Sequence, residues 1–228
     1  GMTEQAVEDL HEEGRLRATL RSRLGEVQDL ERLMSRVSLG AAHPKDLAAL
    51  RQSLQALPAI QSLLVQAAAP LIRRMADALD DLQDLHRLLD AALVDEPPHL
   101  LREGSVIREG HSPELDALRS IKQDARRWIV DLEARERERT GIPTLRVRYN
   151  RVFGYYLEAT KARLGKIPAE YQRKQTLTGG ERFTTAELRE LEEKILHAEE
   201  RIQDLEQRLF VQLREAVAKE LRRVLQTA

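Results

Sequence analysis

Two long stretches without glycine or proline constrain this chain more than any other feature of it. From Glu114 to Thr140 there are about 27 such residues, and from Glu181 to Ala228 neither residue type occurs at all. At 1.5 Å per residue these are roughly 40 Å and 70 Å of helix if unbroken. The first has clear ends. Ser112 is placed as N-cap with Pro113 at the first helical position, and Thr140-Gly141-Ile142-Pro143 makes the stop. Leu118, Ile121, Ala125, Trp128 and Leu132 mark its apolar seam, with Asp131–Arg135 and Glu133–Arg137 as i,i+4 pairs. In the second stretch Thr184 with Glu187 fits a capping box. Leu188, Leu191, Ile195, Ala198, Ile202, Leu205 and Leu209 then hold a near-heptad rhythm. The two helices are expected to pair antiparallel through these seams, with residues 141–183 inserted at the end of a stalk.

Upstream, the chain reads as shorter helices. Leu16, Leu20, Leu24, Val27, Leu30, Met34 and Val37 form one stripe that Gly40 ends, and Pro44 restarts the chain. Leu47, Leu50, Leu54 and Leu57 run to a stop at Pro58, and Pro70 marks another break. Leu79, Leu82, Leu85, Leu89 and Leu93 make one more helix, which Pro97-Pro98 closes. Residues 99–111 read as a loop with a short strand at Ser105-Val106-Ile107. The predicted fold is mainly α: a helical bundle with two long antiparallel helices carrying a small β-rich insert. Composition agrees, with 33% charged and 4% aromatic residues. The leading Gly1-Met2 reads as a tag remnant before a start codon.

The net charge of −1 hides a strong asymmetry. Residues 141–183 hold nine basic side chains (Arg146, Arg148, Arg151, Lys161, Arg163, Lys166, Arg173, Lys174 and Arg182) against Glu158, Glu170 and Glu181. The insert is therefore +6 and the remainder −7. Six of the eight aromatics also lie there: Tyr149, Phe153, Tyr155, Tyr156, Tyr171 and Phe183. Leu145–Tyr149 and Tyr155–Thr160 alternate as strands about a turn at Asn150–Gly154. Gln175–Thr178 and Glu181–Phe183 form a second hairpin, in which Gly179-Gly180 would supply positive φ values. The aromatics are read as the core of this small unit. The cations are read as a phosphate-binding surface, aided by hydrogen bonds from Asn150, Thr176 and Thr178 and by the bare backbone of the glycines.

Catalytic chemistry finds little support. With no cysteine, thiol nucleophiles, Cys-ligated zinc and disulfides are excluded. His11, His43, His86, His99, His111 and His197 are scattered, and His11-Glu12-Glu13 lacks the second histidine of a zincin motif. His86 with Asp90 reads as a surface pair rather than a metal site. Gly165-Lys166 lacks the earlier glycine and following hydroxyl of a nucleotide-binding loop. Glu187, Glu190, Glu192 and Glu193 read as a solvated helix face near a positive N-terminus, and Trp128 as a packing residue. No metal or cofactor is expected in this chain.

The run Tyr149-Asn150-Arg151-Val152-Phe153-Gly154-Tyr155-Tyr156-Leu157-Glu158-Ala159-Thr160 resembles the clamp of the MutS family of DNA mismatch repair proteins. Tyr171–Leu177 and Glu181-Arg182-Phe183 continue the likeness, and Asp29–Leu33 with Arg36 and Pro44–Leu47 are similar to the family's helical core and lever. The resemblance covers essentially the whole chain. It implies a helical core and lever at 1–111, long lever helices at 112–140 and 184–228, and a β-rich clamp at 141–183. It implies an internal fragment that holds the phosphate backbone of double-stranded DNA without sequence preference and passes conformational change to an ATPase domain elsewhere. ATP and magnesium belong to that domain in the full-length family protein. The expected partners are duplex DNA and the second subunit of a homodimer, with no membrane and a bacterial cytoplasmic setting. Where the family commonly has Lys-Asn-Ala, this chain has Thr178-Gly179-Gly180. The backbone contacts are therefore expected from Arg173, Lys174, Arg182, Lys161, Lys166, Arg148 and Arg151. Two alternatives stand beside this reading: an oligomerisation coiled coil, and the clamp of a relative acting on recombination junctions.

Overall fold

The computed structural model describes residues 2–4, 7 and 14–228. The chain divides into two compact units, one formed by residues up to His111 with Glu206–Ala228, the other by Ser112–Leu205. Among the described residues no helix is long and apolar enough to cross a membrane.

The first unit is mainly helical among its described residues. Helix α1 spans Gly14–Leu24 and buries none of its residues, so the single stripe expected from Leu16 to Val37 breaks at Leu24. Helix α2, Leu30–Ser38, begins where the Asp29 carboxylate accepts the Arg32 N–H at 2.9 Å, and it buries Leu30, Leu33, Met34 and Val37. Helix α3 runs from Pro44 to Val65, straight through Pro58. Proline at 58 removes the backbone donor for the Leu54 carbonyl. Gln83 replaces it, donating its amide to Leu54 O at 3.0 Å, so the helix continues where the sequence predicted a stop.

Helix α4 covers Pro70–Ala78 and α5 only Gln83–Ala92. The expected helix through Leu79 is interrupted because aspartate side chains capture the backbone: Asp80 accepts the Leu82 N–H at 3.0 Å and Asp81 that of Gln83 at 3.2 Å. Arg223 then fastens this turn by bonds to Asp80 (2.9 Å) and Asp84 (2.8 Å). The segment after α5 makes one antiparallel bridge, Leu93 with Ile107, in place of a strand. Buried Arg51 holds it by donating to the carbonyls of Leu93 (3.2 Å) and Asp95 (2.7 Å).

In the second unit α6 spans Pro113–Thr140, capped by the Ser112 hydroxyl on the Leu115 N–H and ended by Gly141 at φ 65°. Its buried face is Leu115, Leu118, Ala125, Ile129, Leu132 and Glu136. Leu118, Ala125 and Leu132 hold the seam as expected, but Trp128 is 52% exposed and Ile121 49%, and Ile129 is buried in place of Trp128. Lys194 stacks its ammonium 5.2 Å from the Trp128 ring, giving that ring a surface role. Helix α7, Ala186–Ala218, is capped by Thr185, whose hydroxyl accepts the Leu188 N–H at 3.1 Å; Thr184, the expected cap, is buried at the end of a strand. After Ala218 the chain turns at Lys219-Glu220 into a short α8, Leu221–Thr227, so the last helix is shorter than predicted. Within this unit α6 and α7 run antiparallel, since Glu114 pairs with Arg201, Lys122 with Glu199, and Arg135 with Glu187.

Between them lies one antiparallel sheet of β1 (Arg146–Asn150), β2 (Gly154–Thr160), β3 (Gln172–Thr176) and β4 (Gly180–Thr184), in the order β1-β2-β4-β3. A 3₁₀ turn, Lys161–Lys166, follows β2. Leu145, Leu157, Ala159, Tyr171 and Phe183 pack with Ala125, Ile129 and Leu132 of α6 and Leu188, Leu191 and Ile195 of α7 in one core. The aromatics Tyr171 and Phe183 are thus core, as the small size of the insert requires, whereas Tyr149, expected in that core too, is 57% exposed. At about 25 cal/mol per Å² of apolar surface, each fully buried Leu or Phe here contributes roughly 1.5–3 kcal/mol.

Candidate nucleic-acid interface

The sheet is fixed to the helices by carboxylates. Glu133 of α6 accepts the Val147 N–H at 2.8 Å, and Glu192 of α7 accepts the Tyr155 N–H at 2.5 Å. Glu136, buried, takes the Tyr171 hydroxyl at 2.5 Å and the Arg139 guanidinium at 2.8 Å. Burial is the largest influence on Glu136 and opposes its charge, but the bonds from Arg139 and Tyr171 outweigh it and hold the carboxyl below its usual range. The Tyr171 phenol is pushed up, first by burial and then by its bond to Glu136. Glu192 is therefore an anchoring acceptor and Glu187 an ion-pair partner, where the sequence suggested a merely solvated acidic face.

Gly154 shows how closely the anchor fits. Its φ is +69°, and a Cβ there would stand 2.5 Å from the Glu192 carboxylate. Gly179 and Gly180 differ from expectation, since neither has a left-handed φ. Gly180 is required for space instead, because a Cβ would overlap the Ala159 carbonyl oxygen of β2.

The sheet has two ends. The β1–β2 turn lies against the helices, sharing a groove of about 580 Å³ with Arg126, Leu196 and Glu199. The opposite end, called here the far end, holds the start of β1, the 3₁₀ turn and the β3–β4 loop, where Lys161 N–H meets Gly179 O at 3.0 Å. A recess of about 370 Å³ opens there, lined by Thr144, Arg146, Arg148, Glu158, Thr160 and Gly179-Gly180.

The ten expected contact residues do not form one patch. Arg151 is exposed on the β1–β2 turn, and Asn150 caps that turn by accepting from Val152 (3.0 Å) and Phe153 (2.7 Å). Lys161, Lys166 and Thr178 are exposed at the far end, with Thr176 at the end of β3. Arg148 and Arg182 lie on the outer face of the sheet, both beside Glu158. Arg182 donates to Glu158 at 3.1 Å and Gln175 at 2.8 Å, and sits 4.4 Å over the Tyr156 ring. Arg173 pairs with Glu181 at 2.9 Å. Lys174, at the irregularity between Arg173 and Gln175, donates to the carbonyls of Phe153 (2.6 Å) and Tyr155 (3.4 Å). Arg146 and Arg163 were counted in the charge but not put forward as contacts. Among the described residues neither side chain has a hydrogen-bond or ion-pair partner, and the same holds for the side chains of Arg151, Lys161 and Lys166. Strand parity could have found Arg146, which shares the outer face with Arg148.

Among the described residues no group of three metal-ligating side chains forms a site. His43 and His99 stack with ring centroids 5.1 Å apart, without an acidic third member. His11, Glu12 and Glu13 lie outside the described residues.

Residues 110–201 match the family model described as MutS family domain IV, a span that holds the whole sheet, all of α6 and the first half of α7. The chain is 51% identical over 224 residues, 98% of its length, to the DNA mismatch repair protein MutS of Symbiobacterium thermophilum. It is 52% identical over 219 residues, 96% of its length, to the protein of that name from Anaeromyxobacter dehalogenans, and 47% identical over 223 residues to that of Halothermothrix orenii. It spans about a quarter of the length of these relatives, 26%, 25% and 25% respectively.

Proposed function

Because this chain belongs to the MutS family of DNA mismatch repair proteins, we propose that its sheet unit grips the phosphate backbone of duplex DNA without reading sequence. The observation that carries this is the segregation of +6 onto residues 141–183, with several of those cations left without internal partners at the far end of the sheet. Phosphates attract Lys and Arg whatever the bases, and each one neutralised releases condensed counterions. The chain performs no catalysis in this reading. Helix α7 belongs to both compact units, to the sheet unit as far as Leu205 and to the helical unit from Glu206. It is the path by which a change at the DNA would reach the rest of a mismatch repair ATPase, acting in the bacterial cytoplasm beside a second subunit. Mismatch repair is favoured over a junction-specific role by the relatives' function. An oligomerisation coiled coil has less support, since Leu188, Leu191 and Ile195 spend the α7 seam on the core of their own unit.

Hydrogen exchange with and without a matched duplex tests this. Protection should appear in residues 144–166 and 177–181 and leave α2–α5 unchanged. Protection confined to α2–α5 would contradict the assignment.

A further inference from the structure

We propose that phosphate contacts are made by Arg146, Lys161, Arg163 and Lys166 at the far end of the sheet, while Lys174 and Arg182 hold the sheet together. This rests on the duplex-binding reading above and specifies its contact set, which differs from the one the sequence suggests.

The division follows from what each cation already does. To meet a phosphate with its full fork, Arg182 would have to leave Glu158 and Gln175, which take its Nε and Nη1 donors, and the Tyr156 ring beneath it. Lys174 would have to abandon the Phe153 and Tyr155 carbonyls, which close the β1–β2 turn. In each case the gain at DNA is offset by a polar group left unpaired inside the sheet. The side chains of Arg146, Lys161, Arg163 and Lys166 are engaged by none of the described residues, so they incur no such loss.

Placement strengthens the case. Between Glu158, which Arg182 engages, and Glu170, which shares Arg139 with Glu136, the run Ala159–Ala169 contains no acidic residue. In a 3₁₀ turn side chains three apart eclipse, with about 2 Å rise per residue. Arg163 and Lys166 therefore stand on one face roughly 6 Å apart, close to the separation of successive phosphates along one strand. Leu164, between them, turns to the core and fixes that orientation. Arg146 lines the recess of about 370 Å³ across from Glu158, and Gly179, with nothing within 4 Å of where a Cβ would stand, leaves room there for a phosphate.

The test compares salt dependence of duplex binding in the full 228-residue chain. Neutralising two contacts should lower the slope of log K against log salt by roughly 1.8, at 0.9 per phosphate. That drop is expected for R163Q/K166Q, with the urea midpoint unchanged; R163E/K166E should lose at least tenfold in affinity at low salt. Lys174→Met and Arg182→Gln should lower the urea midpoint and leave the slope in place. If the parent binds with a salt-dependent slope that R163Q/K166Q preserves, this assignment fails and the duplex reading survives. A slope lost in Lys174→Met or Arg182→Gln at unchanged stability would overturn it too. A parent that binds no duplex at low salt would remove both.

Discussion

Replacing Gly154 by alanine should be costly because of one carboxylate, and the cost should disappear when that carboxylate is removed. Alanine at φ +69° is strained by roughly 1–2 kcal/mol. Its Cβ also lands on the Glu192 carboxylate, which must swing away and give up the Tyr155 N–H, a charged hydrogen bond of about 1.5–3 kcal/mol. The reduced freedom of the unfolded chain returns about 0.4–1 kcal/mol. The net loss is about 2–4 kcal/mol. In an Glu192→Ala background the bond is already absent and the clash has no partner, so the same change should cost about 1 kcal/mol or less. Urea unfolding of the four chains, followed through the fluorescence of Trp128, the single tryptophan, closes the cycle. A Gly154→Ala cost that is the same in both backgrounds would refute the reasoning.

Gly180→Ala should be harder to absorb, because the obstacle is the Ala159 carbonyl of the neighbouring strand rather than a side chain that can turn. A loss above about 3 kcal/mol is expected, with weakened protection of the β2–β4 amides in hydrogen exchange. Glu206 accepts backbone N–H groups of Ser105 (3.0 Å), Val106 (3.1 Å) and Ile107 (3.3 Å) while itself buried. Glu206→Ala removes the acceptor from the buried Val106 N–H, for a cost of about 1–3 kcal/mol, visible as faster exchange at 105–107. The Arg223 hydrogen bond holds Asp84 down to about 2 and lowers Asp80 as well. A depressed carboxylate stabilises the fold above its unfolded value, near 3.8, and that contribution fades as pH falls toward 2. Contacts between α8 and the Asp80–Asp84 turn should therefore loosen over that window in an NMR titration, and Arg223→Ala should abolish the pH dependence.

What the sequence revealed was mostly what local signals encode. Ser112-Pro113 and Gly141 bracket α6 because capping needs only neighbours. The β1–β2 hairpin was legible for the same reason. The failures came where a distant group decides. Nothing near Pro58 announces that Gln83 will serve the Leu54 carbonyl. Trp128 and Ile129 both suit an apolar seam, and packing against the sheet chose Ile129. Charge segregation was visible, but which cations are spent internally was not: Lys174 and Arg182 find their partners on other strands, and the pairing register alone brings them together. Gly180 was recognised as special for the wrong reason, since its constraint is the approach of β2 rather than its own φ.

Fluorescence anisotropy of matched and mismatched labelled duplexes across a salt series reads out sequence-blind neutralisation of DNA phosphates by this chain. Equal affinity for both duplexes is expected, with a slope of roughly −3 to −4 from four cations at about 0.9 each. A preference for the mismatched duplex, or binding indifferent to salt, would contradict it.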